Sequence, residues 1–185
     1  MLRFCCILLS CVLLSGCNRE DISLKKALQL REKLLAAQSC TFDAGITAQY
    51  NNVVYQFQVF CAADAETLQF TVTAPETISG IRGTLTRSGG EFVFEDTVLA
   101  FPAMAEGRIS PVSAPWIFYN TLKGGYLHGC GELEEGLLLT IDDSYADEAL
   151  QLHIYLDAAY LPVFAEIYWQ QQKLITLEIQ NFSIQ

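Results

Sequence analysis

Cationic residues are scarce in this chain, and histidine scarcer still. Eleven Lys and Arg stand against 21 Asp and Glu, a formal net charge of −10, and the only histidines are His128 and His153. Such a body has no basic stripe to neutralise phosphates, so nucleic acid is not an expected partner. Several catalytic signatures are missing: a Gly-x-Ser-x-Gly elbow, a phosphate-cradling glycine loop and a His-Glu-x-x-His pair. No apolar run reaches the roughly 20 residues that a membrane-spanning helix needs. Low-complexity tracts are absent, while aromatic and β-branched residues are plentiful. A folded core is therefore expected, and disorder only just before its first element.

What is present begins at the N-terminus. Arg3 is followed by an apolar stretch from Phe4 to Leu14 without an acidic residue. That is the basic region and apolar region of an export signal, too short to cross a bilayer. It ends in Leu14-Ser15-Gly16-Cys17. These four residues resemble the lipobox of bacterial lipoproteins, in which the cysteine is acylated and becomes the new N-terminus. The resemblance implies a signal peptide over 1–16, a lipid anchor and short tether over 17–22, and a single domain over 23–185. It also implies a palmitate-type acyl chain on Cys17 and a bilayer as partner. The location would be the extracytoplasmic side of a cell membrane, or the outer membrane in a Gram-negative source. Acyl chains together with a basic neck suffice for stable anchoring.

Removing Met1 to Gly16 leaves 169 residues with a net charge of −11, because only Arg3 departs. One domain with a real core fits that length. Half of the remaining positive charges, Arg19, Lys25, Lys26, Arg31 and Lys33, lie next to the anchor. A basic neck on an acidic body suits a domain held close to an anionic surface, and equally an acidic body kept soluble. Of seven cysteines, Cys40, Cys61 and Cys130 belong to the exported body.

The residues from Asp21 to Gln38 read as an amphipathic helix. Leu24, Ala27, Leu28, Leu30, Leu34 and Leu35 fall within one arc of roughly 160°. Arg31 projects into that arc, its head either reaching out to water or pairing with a carboxylate of the sheet. From Cys40 the period changes to two. Phe42, Ala44, Ile46, Ala48 and Tyr50 alternate with polar residues, and after Asn51-Asn52 so do Val53, Tyr55, Phe57 and Val59, which makes a hairpin. Facing Ala48 with Val53 sets Cys40 opposite Cys61 and would allow a cross-strand disulfide. A one-residue slide leaves the cysteines diagonal and unbridged.

Alternation continues through Leu68, Phe70 and Val72, then through a hairpin over Gly80–Arg87 and Glu91–Thr97. Phe101 to Ser113, with Pro102 and Pro111, reads as irregular. Ala114 to Lys123 reads as a short helix stopped by Gly124-Gly125, with Trp116, Ile117, Tyr119 and Leu122 as its apolar bulk. Strands follow over Tyr126–Leu133, Leu137–Ile141, Leu150–Leu156, Pro162–Trp169 and Leu174–Phe182. The fold class is α+β: a curled antiparallel sheet of about ten strands, an open half-barrel with both helices on its apolar face.

The basic amphipathic helix, the one-sided meandering sheet, the Pro-led helix before the later strands and the final Pro-strand-turn-strand together resemble the LolA/LolB-like class of bacterial lipoprotein carriers. The resemblance spans Leu24 to Ile184. It implies a concave face that holds acyl chains or another hydrophobic ligand beneath a helical lid, lined by Phe42, Tyr55, Phe57, Phe70, Phe92, Phe94 and Trp116. Transfer needs no catalytic residue, cofactor or metal. The residues themselves leave other readings open. The same fold with a filled core would serve envelope assembly with a protein partner. His128 and Cys130, about 6.5 Å apart on one face of a strand, could form a thiol-imidazole pair. The acidic loop Asp142 to Glu148 reads as a solvated turn and lacks the spacing of a calcium site.

Overall fold

The computed structural model describes residues 18–50, 53–94, 97–101, 104–105 and 108–185. The signal, the lipobox with Cys17 and the Asn51-Asn52 turn lie outside the described residues. Among the described residues two α-helices, α1 (Asn18–Ala36) and α2 (Ala114–Gly124), accompany thirteen strands. The first six are β1 (Cys40–Tyr50), β2 (Val53–Ala63), β3 (Leu68–Ala74), β4 (Arg82–Thr86), β5 (Gly89–Phe94) and β6 (Thr97–Phe101). A small hairpin of β7 (Met104–Ala105) and β8 (Arg108–Ile109) precedes α2. Then come β9 (Tyr126–Leu133), β10 (Gly136–Asp142), β11 (Leu150–Leu156), β12 (Pro162–Trp169) and β13 (Gln172–Ile184).

Eleven strands form one antiparallel sheet in the order β6-β5-β4-β3-β2-β1-β13-β12-β11-β10-β9. It is two meanders joined where the first strand pairs with the last, Ile46 opposite Leu177. The sheet is open, with β6 and β9 as its edges. One face is apolar: along β1, Phe42, Ala44, Ile46 and Ala48 are buried, and along β11 so are Leu150, Leu152, Ile154 and Leu156. That alternation is what one covered face requires.

Three sequence expectations change. The first is the β1–β2 register. Tyr50 pairs with Val53 across a two-residue turn, so Phe42 stands opposite Cys61 and Cys40 opposite Ala63. The shorter turn adds two cross-strand pairs, Gln49 with Val54 and Tyr50 with Val53, and slides the cysteines apart; both are buried free thiols. The second is the helix face. Ala27, Leu30 and Leu34 are buried, but Leu24, Leu28 and Leu35 are 41%, 51% and 64% exposed. The helix leans on β9 and α2 along one line, which is narrower than the apolar arc.

The third is Arg31, whose half-buried head turns to backbone carbonyls instead of a carboxylate or the open solvent. Its Nε donates to the carbonyl of Leu122 at 2.9 Å, and one terminal nitrogen donates to those of Thr121 at 3.2 Å and Gly125 at 2.6 Å. It caps the C-terminus of α2, where carbonyls are left without helical partners and the helix dipole favours a cation.

Candidate ligand-binding face

The helix-side face of the sheet has a filled end and an open end. At the filled end α2 lies over β10 to β13 and α1 lies beside it. Pro115 at the first turn and the arrest at Gly125 fit α2 to this span. Trp116, Phe118, Tyr119 and Leu122 of α2 are buried, as are the side chains beneath them, among them Leu139, Leu152, Ile167 and Leu177. Phe42, Phe118 and Phe182 form an aromatic trio, with ring centroids 5.6 Å apart edge to face for Phe42–Phe118 and 5.8 Å apart stacked for Phe42–Phe182. Such pairs close space beyond what their area alone supplies. Phe42 and Trp116, expected to line a ligand site, are here core residues.

Following one cross-strand row outward shows where the cover ends. Phe42, Cys61, Phe70, Gly83, Phe92 and Leu99 stand opposite one another in turn from β1 to β6. Phe42, Cys61 and Phe70 are buried, Phe92 is half-buried, and Leu99 is 48% exposed. The Phe70 ring lies flat against Gly83, where an added Cβ would stand 2.5 Å from the ring edge. Only glycine lets the ring lean outward over β4, and that ring forms the wall between the two ends.

At the tip of the β1–β2 hairpin, past the end of β3, the same face carries Val53 (49% exposed), Tyr55 (48% exposed) and the half-buried Phe57. Tyr50 ties the tip of this hairpin to the chain entering α2, its hydroxyl donating to the carbonyl of Ile109 at 2.5 Å. Phe94 lies on β5 in the same alternation, with its backbone alone described. Of the seven expected lining residues, Phe92 lies at the open end and Tyr55 and Phe57 at the hairpin tip, while Phe42 and Phe70 are in the core and Trp116 borders a cleft on the other side of α2. Val53 at the tip and Leu99 at the open end were missed by sequence reading. Their place in the period-two pattern assigned the face, and nothing local assigned the exposure.

Two clefts among the described residues lie elsewhere. One of about 840 Å³ runs between α1 and the end of β13, lined by Lys26, Leu30, Lys33, Tyr160 and Phe182. Another of about 510 Å³ lies between α2 and the acidic loop, with Arg87, Trp116, Asn120, Thr121 and Ser144 on its walls.

The thiol-imidazole pair is taken apart by a bulge. Gly129 pairs with Thr140 and Leu127 with Ile141, so His128 is left as the extra residue. Its Nε2 lies 2.6 Å from Asp142 Oδ2 while the ring is largely exposed. Cys130 stands opposite the buried Leu139, on the helix side. Burial, and then the nearby charge of Glu132, push its thiol pKa up. A thiol so placed is not activated as a nucleophile.

The first two carboxylates of the acidic loop are engaged by the loop and the strands that flank it. Asp143 Oδ1 accepts from the Leu150 amide at 2.9 Å and the Ser144 hydroxyl at 3.1 Å, and Asp142 accepts from Gln151. Among the described residues no three His, Cys, Asp or Glu side chains gather as metal ligands.

No family model matches this chain, and neither does any curated protein. Solved structures resemble it at low identity. A LolA superfamily protein from Nitrosomonas europaea is 8% identical, over 88% of this chain and 93% of that one, with a TM-score of 0.45. The lipoprotein LppX of Mycobacterium tuberculosis is 13% identical over 87% and 93%, with a TM-score of 0.41. An uncharacterised conserved protein from Thermus thermophilus is 16% identical over 88% of each chain, with a TM-score of 0.47.

Proposed function

We propose that this chain is a non-enzymatic, lipid-anchored envelope protein that holds a hydrophobic ligand on the open end of its helix-side face. Acylated Cys17 would place it on the extracytoplasmic side of a membrane. The ligand would be a lipid, a lipoprotein acyl chain or another apolar group of similar shape. The observation that carries this reading is the row from Phe42 to Leu99, whose buried apolar surface continues past Phe70 into exposed apolar surface without a polar boundary. Exposed contiguous apolar surface on a soluble face marks a binding site. Tyr55, Phe57, Phe92, Val53 and Leu99 would contact the ligand, and α2 with Trp116 would bound it at the filled end.

The test is native mass spectrometry of residues 18–185, purified without detergent, followed by titration with a fluorescent fatty acid. A mass excess lost on denaturation supports the reading, as does saturable uptake that a Tyr55→Asp, Leu99→Asp double variant abolishes at unchanged melting temperature. The bare mass together with no uptake overturns it.

A second reading has its own observation. The outer face of the same edge is apolar too: Val93 and Val98 are 43% and 59% exposed, and β6 is an edge strand. A protein partner that adds a strand to β6 would extend the sheet there and pack its own side chains beside Val98 and Leu99. That reading predicts a partner captured by the wild-type chain and lost with Val98→Lys, and no bound lipid.

A further inference from the structure

The surface of α1 that turns away from the fold carries an apolar ridge that no described residue covers. Taking Ser23 as the origin and about 100° per residue, the buried Ala27, Leu30 and Leu34 point down onto β9 and α2. Leu24, Leu28 and Leu35 form a second line about 100–140° away, and Lys25 and Glu32 lie at the crest beyond it. The three leucines are 41%, 51% and 64% exposed. Leucine spaced i, i+4 and i+11 along one side is a stripe and not a scatter.

Charge identifies the occupant: α1 carries five basic and three acidic residues, whereas the chain after it carries five basic and eighteen acidic. The helix carries half of the basic residues that follow the lipobox, and Lys25 borders its apolar ridge, while Lys26 and Lys33 lie on the opposite flank. An exposed apolar ridge on a helix of net positive charge is the feature that seats helices in the headgroup region of anionic bilayers.

We infer that the outer face of α1, through Leu24, Leu28 and Leu35 with Lys25 beside them, docks on an anionic lipid surface and sets the orientation of the sheet above the membrane. This contact is separate from the ligand face on β2, β5 and β6, and from the acylation of Cys17.

The test uses residues 18–185, which hold every described element and lack the anchor. Sedimentation with vesicles of phosphatidylethanolamine and phosphatidylglycerol should show binding that falls with salt and is weaker on phosphatidylcholine alone. The triple variant Leu24→Gln, Leu28→Gln, Leu35→Gln should lose roughly ten- to a hundredfold in partitioning, since each leucine still has about half its surface to bury. Its circular dichroism should not change, because these side chains are exposed. Lys25→Glu should weaken binding several-fold on anionic vesicles and leave it unchanged on neutral ones. A wild-type domain that does not sediment, or a triple variant that sediments like it, overturns the inference. So does a wild-type dimer that the triple variant dissolves, since the leucines would then cover a second copy.

Discussion

Replacing Arg31 with Met removes the guanidinium and keeps most of the apolar stem. The charge sits half-buried between the helices, and burial pulls its pKa down, so it is held there at some desolvation cost. What offsets the cost is a set of three charge-assisted hydrogen bonds to the carbonyls of Thr121, Leu122 and Gly125. The Thr121 carbonyl also accepts from the Gly125 amide at 2.8 Å and would stay satisfied. Those of Leu122 and Gly125 would lose their charged donor. A net hydrogen bond to a charged group contributes about 1.5–3 kcal/mol, and a cation at a helix C-terminus about 0.3–1 kcal/mol. Water reaches part of this half-buried site, so the sum is reduced to about 2–4 kcal/mol. Urea denaturation of residues 18–185 should show a lower midpoint at an unchanged slope, and the melting temperature should fall by about 5–15 °C. Arg31→Lys should recover half of the loss at most, since an ammonium cannot span three carbonyls as the planar fork does. A loss below about 0.5 kcal/mol for Arg31→Met, the range of an ordinary surface change, would refute the capping argument.

Two further predictions concern ionisable groups. On the outer face, Glu166 accepts hydrogen bonds from Lys173 at 2.9 Å, Tyr168 at 3.0 Å and Tyr155 at 3.3 Å, with His153 Nδ1 at 3.9 Å. Burial pushes its pKa up, but the bonds from Lys173 and Tyr168 outweigh it and leave the carboxyl below its ordinary value. A carboxylate depressed on folding adds stability that is complete above its unfolded pKa and lost as pH falls through its folded one. Melting temperature followed from about pH 7 to about pH 3 should therefore fall less steeply for Glu166→Gln than for wild type; parallel curves would refute the assignment. Burial pushes the Cys40 thiol up to about 12 and Cys61 well above its ordinary value. A thiol reagent at neutral pH should modify Cys130 first and the other two only on unfolding, with all three titrating in urea; a count of one would mean that the bridge forms.

The strands were legible where period and punctuation agree. Tyr126–Leu133 and Pro162–Trp169 run between the residues that alternation and turn chemistry mark. The registers were not legible, because Asn51-Asn52 is compatible with a turn of two residues or a longer one, and only the whole sheet selects between them. The bulge at His128 is likewise invisible to a count of period two, yet it decides that His128 and Cys130 part company. Arg31 stood out as misplaced in its arc, but the partner that explains it lies about ninety residues on, at a helix end whose orphan carbonyls have no sequence signature. Parity assigned Phe42 and Phe92 to one face correctly. Which of them is roofed depends on where α2 comes to rest, and that is a property of the packed fold.

The division of that face into a filled end and an open end follows from dimensions. Eleven strands about 4.8 Å apart make a sheet about 48 Å across, while two helices side by side cover about 20 Å. Curling brings some strands beneath the helices, and the trio of Phe42, Phe118 and Phe182 fills the space so enclosed. It cannot bring all of them there, because β4 to β6 lie on the far side of β3 from both helices in the strand order. A sheet meant to end in water would turn polar at that boundary. This one keeps Phe92 and Leu99 on the inner face, so the width that the two helices leave uncovered is apolar by composition.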